Sequence, residues 1–169
     1  LKANANAAEI TIIKEYGNLP NVECYAGQLN QVFMNILANA IDALEEGLGG
    51  VGQESESNRS ATIRLRTEAI ANQRVRICIA DNGLGMTESV RNRLFDPFFT
   101  TKAVGKGTGL GLSISYQIVV ERHKGSLQCF SELGQGCEFW IEVPIAQNVP
   151  DEGNTNAEHL LLDTTCDLA

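Results

Sequence analysis

The chain has 169 residues, enough for one domain with a sizeable core, or one domain and a tail. Its formal charge of −8 disfavours nucleic-acid partners, whose phosphates would be repelled, but leaves room for a small anion held by local positive groups and backbone amides. Apolar residues make up 43 % of the chain, no run is long enough to span a bilayer, and the N-terminus lacks a basic-then-apolar signal pattern. The first residue is Leu1 rather than Met, which reads as a piece excised from a longer protein. The five cysteines, Cys24, Cys78, Cys129, Cys137 and Cys166, contain no CxxC pair, and three fall in expected strands. They read as small apolar residues in a reducing cytoplasm.

In chain order, Ile10, Ile12 and Ile13 predict a short strand, and Val22 to Tyr25 a second. A long helix is expected from Gln28 to Leu44, because Leu29, Val32, Phe33, Ile36, Leu37, Ala40, Ile41 and Leu44 recur at helical spacing. Glu45 to Ser60 is rich in Gly, Ser and Glu and reads as a loop. Ile63 and Leu65 alternate with Arg64 and Arg66, and Val75, Ile77 and Ile79 with Arg74 and Arg76. Together they predict a hairpin through Ala71, Asn72 and Gln73, with one buried face and solvated arginine rows. Thr87 is the expected N-cap of a short helix ending near Leu94. A loop then covers Asp96 to Gly107, a helix Thr108 to Arg122, and strands Gly125 to Ser131 and Glu138 to Val143. From Ala146 the chain carries acidic residues and no Lys or Arg, which reads as a tail. The irregular mixture of strands and helices implies an α+β fold: a two-layer sandwich whose mixed, mostly antiparallel sheet is covered on one face by about three helices.

Four constellations carry chemistry. Asn35, Asn39 and Asp42 share one face of the long helix with Gln28 and Gln31, opposite the apolar stripe. No charged residue occurs from Tyr25 to Ile41. Neutral amide oxygens with one carboxylate suit a metal–phosphate group, since Asn offers Mg²⁺ a hard oxygen without adding charge. Asp81-Asn82-Gly83-Leu84-Gly85-Met86 follows a buried strand; a carboxylate there could accept from an amino group such as that of adenine, and glycines allow close backbone approach. Phe95 to Lys102 places three Phe and a Lys in one loop, as expected of a lid that offers Lys102 to phosphate. Gly105 to Leu112 opens a helix with glycines that expose amides to an anion. It does not fit a P-loop or a dinucleotide fingerprint, whose glycines fall elsewhere.

The order Asn-x-x-x-Asn-Ala-x-Asp-Ala, Asp-x-Gly-x-Gly, Asp-Pro-Phe-Phe-Thr-Thr-Lys, Gly-Thr-Gly-Leu-Gly-Leu resembles the N, G1, F and G2 boxes of sensor histidine kinases of the nitrogen-sensor type. These belong to the wider gyrase–Hsp90–histidine kinase–MutL ATPase fold. Gly134 to Phe139 resembles a further glycine box, with Cys137 where Thr or Ser is more usual. The likeness runs from about Ile10 to Ile145 and implies ATP and Mg²⁺ as cofactors. It implies that Asn39 ligates Mg²⁺ with Asn35 in support of metal and phosphates, and that Asp42 lies in the same box. It implies that Asp81 accepts from adenine N6, that Gly83 and Gly85 pass close to the base, and that Phe95 and Phe98 anchor the lid. Lys102, Thr108 and the amides of Gly107, Gly109, Leu110 and Gly111 would hold phosphates.

Water-using ATPases of this fold place a Glu general base where this chain has Asn35. An amide has no useful basicity at neutral pH, so phosphotransfer is favoured over hydrolysis. A serine-kinase anti-sigma factor of the same fold would lack the Phe-Phe-Thr-Thr-Lys lid. A degenerate docking module would need no intact boxes. Neither His123 nor His159 has the acidic neighbour and following Pro of the family's acceptor. His123 suits a helix C-terminus as a cation. The expected organisation is therefore residues 1–9 as a linker from a helical dimerisation and phosphoacceptor domain, 10–145 as the ATP-binding catalytic domain, and 146–169 as the acidic tail. The expected partners are that helical domain and a response regulator receiver domain. The isolated domain is expected to be monomeric and cytoplasmic.

Overall fold

The computed structural model describes residues 9–48, 60–103 and 107–147. Strands β1 (Thr11–Tyr16), β2 (Thr62–Ile70), β3 (Arg74–Asp81), β4 (Ser126–Glu132) and β5 (Gly136–Pro144) form one sheet in the order β1-β2-β3-β5-β4. β1 runs parallel to β2, and every other pairing is antiparallel. Helices α1 (Ala26–Leu48), α2 (Glu88–Arg91) and α3 (Gly111–Tyr116) follow their sequence signals, and α3 continues into a π-helical turn, Gln117–Arg122. This is the expected α+β sandwich.

Period-two alternation sets the sheet's two faces. Leu65 opposes Ile79, Val75 opposes Val143, Ile79 opposes Phe139 and Leu127 opposes Ile141, so β2, β3, β5 and β4 build one apolar surface. Val32, Ile36, Ala40 and Leu44 of α1 and Ile118 and Val119 of the π-helical turn pack on that surface. The core is centred on Val32, Ile36, Ile63, Val75, Val119, Ile141 and Val143, none exposed by more than 2 %.

The other face is more ordered than solvated arginine rows. The Arg76 guanidinium lies between Glu68 at 3.2 Å and Glu142 at 2.7 Å, with its centre 4.1 Å from the middle of the Trp140 ring. Long side chains from neighbouring strands cover the indole, and a cation over such a ring is worth about 0.5–1 kcal/mol at an exposed site.

Several boundaries differ from expectation. Val22 to Tyr25 forms no strand. Val22 and Cys24 do alternate with exposed Glu23 and Tyr25, but the segment makes one ladder-like bond, Glu23 N–H to Ile145 O at 2.8 Å, before the Tyr25 carbonyl turns to accept from Gln28 and Leu29. α1 absorbs Glu45–Leu48, which were expected in the loop; the rest of that loop to Arg59, the linker to Ala8 and the tail from Asn148 lie outside the described residues. Within α1, Ile41 is exposed although it fits the apolar spacing. At about 100° per residue it stands roughly a quarter-turn from the stripe's centre. α2 stops at Arg91, and the chain reaches Phe99 through tighter turns. Thr87 is the N-cap residue, but its hydroxyl meets Ser89 rather than a backbone amide. α3 begins at Gly111 instead of Thr108, because Gly109 takes φ +65° and cannot be helical.

His123 is the largest correction. It stands at the helical C-terminus as expected, but it is fully buried and its ring is held by hydrogen bonds instead of by the helix dipole. Its Nε2 accepts from the Tyr25 N–H at 3.0 Å, and its Nδ1 lies 2.8 Å from the Ile118 carbonyl. A nitrogen facing a donor must carry a lone pair, so the ring's proton sits on Nδ1. The Ile118 carbonyl also accepts from the His123 backbone N–H at 3.2 Å, the i to i+5 bond of the π turn, so one oxygen meets both N–H groups of His123.

Replacing Ile36 with Ala should lower unfolding free energy by about 2–5 kcal/mol in a urea titration. Replacing Met34, 66 % exposed on the outer side of the same helix, should change it by less than about 0.5 kcal/mol.

Candidate nucleotide site

The long helix has three faces rather than two. One packs on the sheet, one carries Met34 and Ile41 to solvent, and the lateral one between them carries Asn35, Asn39 and Asp42 towards α3 and the lid, with Ala38 exposed at the cleft's edge. The amide face is therefore beside the apolar stripe and not directly opposite it. The Asn35 amide nitrogen donates to the Gly111 carbonyl at 3.0 Å and to Ser115 Oγ at 3.2 Å. The Ser115 hydroxyl donates to the same carbonyl at 2.9 Å. With its nitrogen committed to α3, Asn35 keeps its oxygen for the cleft that it lines. Asn39 Oδ1 accepts from Lys102 Nζ at 3.2 Å, and the same ammonium pairs with Asp42. A cation thus stands where the Asn and Asp oxygens converge.

Asp81 ends β3 on the sheet's inner face, opposite Ile63 on one side and Cys137 on the other. Its Oδ1 accepts from the Gly83 N–H at 2.9 Å. Burial pushes the carboxyl above its ordinary value of 3.8, opposed by backbone hydrogen bonds from Gly83 and Cys137. A Cβ at Gly83 would crowd this carboxylate and Ala43 of α1. At Gly85, with φ +66°, a Cβ would strike the Glu132 carbonyl in the β4–β5 turn. The second glycine is therefore needed for packing against that turn, although it also lines the cleft.

The lid departs from expectation at its aromatics. Phe95 anchors it by packing on Tyr116, with ring centres 5.3 Å apart. Phe98 does not: it is 74 % exposed, has φ +65° and is absent from the cleft wall. Phe99 lines the cleft instead, with the Arg93 guanidinium 4.4 Å over its ring. A loop has no fixed period, so the sequence could not say which of two adjacent Phe faces inward. A bulky residue in the left-handed region is strained. Gly109 lies against the Phe98 backbone so closely that any Cβ would collide with it. Gly107, Thr108, Gly109 and Gly111 line the cleft. Leu110 does not, and its carbonyl accepts from the Ile114 N–H and the Ser113 hydroxyl. Thr108 Oγ1 accepts from the Leu110 N–H at 3.3 Å.

These residues enclose about 370 Å³, within the range of small-molecule sites. Asp81, Asn39, Lys102 and the glycine string line it with polar groups, and Met86, Val90, Leu94 and Phe139 add apolar walls. Ser115 is an addition the sequence did not signal, and Phe99, one of the three Phe of the loop, takes the place the resemblance gave to Phe98. Ser115 is one helical turn beyond Gly111, where a buried serine has no distinguishing pattern.

A profile described as histidine kinase-, DNA gyrase B- and HSP90-like ATPase matches residues 25–147. The chain belongs to this family. Among its relatives, Sporulation kinase E of Bacillus subtilis is 38 % identical over 155 residues, covering 91 % of this chain and 19 % of that protein. AtoS, a signal transduction histidine-protein kinase of Escherichia coli, is 35 % identical, covering 82 % of this chain and 20 % of that one. This chain thus spans about a fifth of these relatives. Among solved structures, the nucleotide-free catalytic domain of histidine kinase ThkA superposes with a TM-score of 0.64 at 29 % identity, covering 82 % of this chain and 80 % of that one. Full-length ShkA in complex with AMPPNP gives 0.67 at 31 % identity, covering 82 % of this chain and 26 % of that one.

Because burial raises the folded-state pKa of Asp81, its contribution to stability is intact below the ordinary 3.8 and lost as pH rises through the raised value. Asp81→Asn should therefore unfold at higher urea concentration than the parent at neutral pH, with the difference vanishing in acid. The same variant should bind adenine nucleotide about 10–100-fold more weakly, since a charged hydrogen bond is worth about 1.5–3 kcal/mol.

Proposed function

We propose that this chain is the ATP-binding catalytic domain of a two-component sensor histidine kinase, binding Mg–ATP and delivering the γ-phosphoryl group to a histidine on a separate helical domain. The observation that carries this reading is Asn35. Its amide is tied to Gly111 and Ser115 at the position where hydrolysing members of the fold need a base. An amide cannot take a proton from water, so the geometry favours transfer to an incoming nucleophile.

The donor set fits Mg²⁺: the Asn39 and Asn35 oxygens are hard and neutral, and the Lys102 ammonium already marks a place for positive charge. Bound there, Mg²⁺ would neutralise phosphate charge. Asp81 would accept from the adenine amino group. Lys102 would leave Asp42 for the phosphates, and the amides of Gly107 to Gly111 with Thr108 would hold them in line. Positioning and charge neutralisation provide most of the catalysis in such transfers. His123 is not the acceptor in this reading, because it is buried with both ring nitrogens engaged.

The AMPPNP complex of ShkA supports nucleotide occupancy. The structure of ThkA in complex with the response regulator TrrA, with a TM-score of 0.60 at 26 % identity, supports a receiver domain as the onward partner. The helical dimerisation and phosphoacceptor domain, a cytoplasmic setting and a monomeric isolated domain complete the proposal. Among the described residues, no helix is long and apolar enough to cross a membrane.

Calorimetric titration with ATP should show binding that strengthens with Mg²⁺, while phosphate release stays negligible. Asn39→Ala should remove most of the Mg²⁺ dependence. Rapid phosphate release would instead assign the chain to the hydrolysing members, and absence of binding would indicate a docking module.

A further inference from the structure

Cys129 and Cys137 meet across β4 and β5 with their sulfurs 3.3 Å apart. They are diagonal neighbours on the inner face: Cys129 opposes Phe139, and Cys137 opposes Ser131. Both are only partly buried, unlike Cys78, which is buried on the outer face beside Arg66. Cys137 also lines the cleft, next to Asp81 in the β3–β5 register. Two sulfurs this close need to move by only about 1.3 Å to reach the disulfide bond length of about 2.05 Å, and their approach means that the side chains already converge.

We propose that Cys129 and Cys137 are an oxidisable dithiol whose disulfide weakens nucleotide binding in the adjoining cleft. The proposal rests on the reading that the cleft binds ATP with its base at Asp81. The oxidant is a low-molecular-weight disulfide, RSSR. The Cys129 thiolate attacks one of its sulfurs, forming a mixed disulfide and releasing RS⁻. Cys137 then loses its proton and attacks the Cys129 sulfur, releasing the second RS⁻. Two electrons pass to RSSR, and the two cysteine protons end on two molecules of RSH. Cys129 is the first attacker because Cys137 holds its proton more tightly than an ordinary thiol. Its hydrogen bond with Cys129, burial and the nearby Asp81 carboxylate all act in that direction.

Diagonal partners on antiparallel strands ordinarily have Cα atoms about 7–8 Å apart, at or beyond the reach of an unstrained disulfide. Closing the bond therefore draws the start of β5 towards β4 and turns the Cys137 sulfur away from the cleft. Asp81 takes a backbone hydrogen bond from Cys137, so the displacement reaches the group assigned to the base. By linkage, bound ATP opposes the disulfide by the same factor that the disulfide opposes ATP.

The test treats the reduced protein with oxidised glutathione, with and without Mg–ATP. It is then denatured, its remaining thiols are blocked, and it is cleaved after Glu132, which lies between the two cysteines. The expected product is a pair of peptides carrying Cys129 and Cys137 joined by a disulfide, formed more slowly with Mg–ATP present. Calorimetry should show ATP bound at least about fivefold more weakly by the oxidised protein, with affinity restored by dithiothreitol. Cys129→Ser and Cys129→Ala should bind ATP as the reduced parent does and be unaffected by glutathione disulfide. Unlinked peptides, glutathione retained on either cysteine, or a linked pair with unchanged ATP affinity would each overturn the proposal. Failure of the reduced protein to bind ATP would instead overturn the nucleotide reading, and this proposal with it. That failure is distinguishable because it precedes any oxidation.

Discussion

The Asn35 amide bridging α1 to α3 is the contact on which the cleft depends. It fixes the spacing between the two helices, because one side-chain nitrogen donates to both the Gly111 carbonyl and the Ser115 hydroxyl of α3. The same commitment decides what Asn35 can do chemically. With the nitrogen turned into the helix interface, the oxygen is what remains for the cleft, and an oxygen of that kind can ligate a hard cation but cannot take a proton. Structural and chemical roles are thus two ends of one planar group.

The lid is joined to this framework by a different kind of constraint. Phe95 is held by packing on Tyr116, while Phe98 and Gly109, both with positive φ, are fitted backbone to backbone. Lys102 bridges the lid to α1 through Asn39 and Asp42. Its partner Asp42 is substantially exposed, so the pair contributes little to stability. A weak ion pair is easily exchanged for phosphate contacts, and such exchange is the role assigned to Lys102.

The far end of α1 is held by the buried His123, whose lone pair satisfies the Tyr25 N–H. That hydrogen bond is part-buried and contributes about 0.5–1.5 kcal/mol. The π-helical turn presents the Ile118 carbonyl that fixes the ring's tautomer. Local irregularity after α3 therefore serves the start of α1, nearly a hundred residues earlier in the chain.

The sequence by itself determined the elements whose side chains repeat with a period. The β2–β3 hairpin and the apolar stripe of α1 were legible because burial on one side imposes alternation or helical spacing. The four boxes were legible because their chemistry uses residue types that ordinary surface elements do not combine. Tertiary structure decided what has no period or depends on distant partners. Phe99 rather than Phe98 faces the cleft because backbone fit against Gly109 turns that stretch of the loop. Val22 to Tyr25 alternates like a strand but finds no extended ladder partner. His123 and Ser115 gain their roles only from groups brought to them by folding, and so do the two sulfurs of Cys129 and Cys137. Hydrogen bonds and close contacts between residues far apart in sequence depend on three-dimensional register, which a linear pattern does not encode.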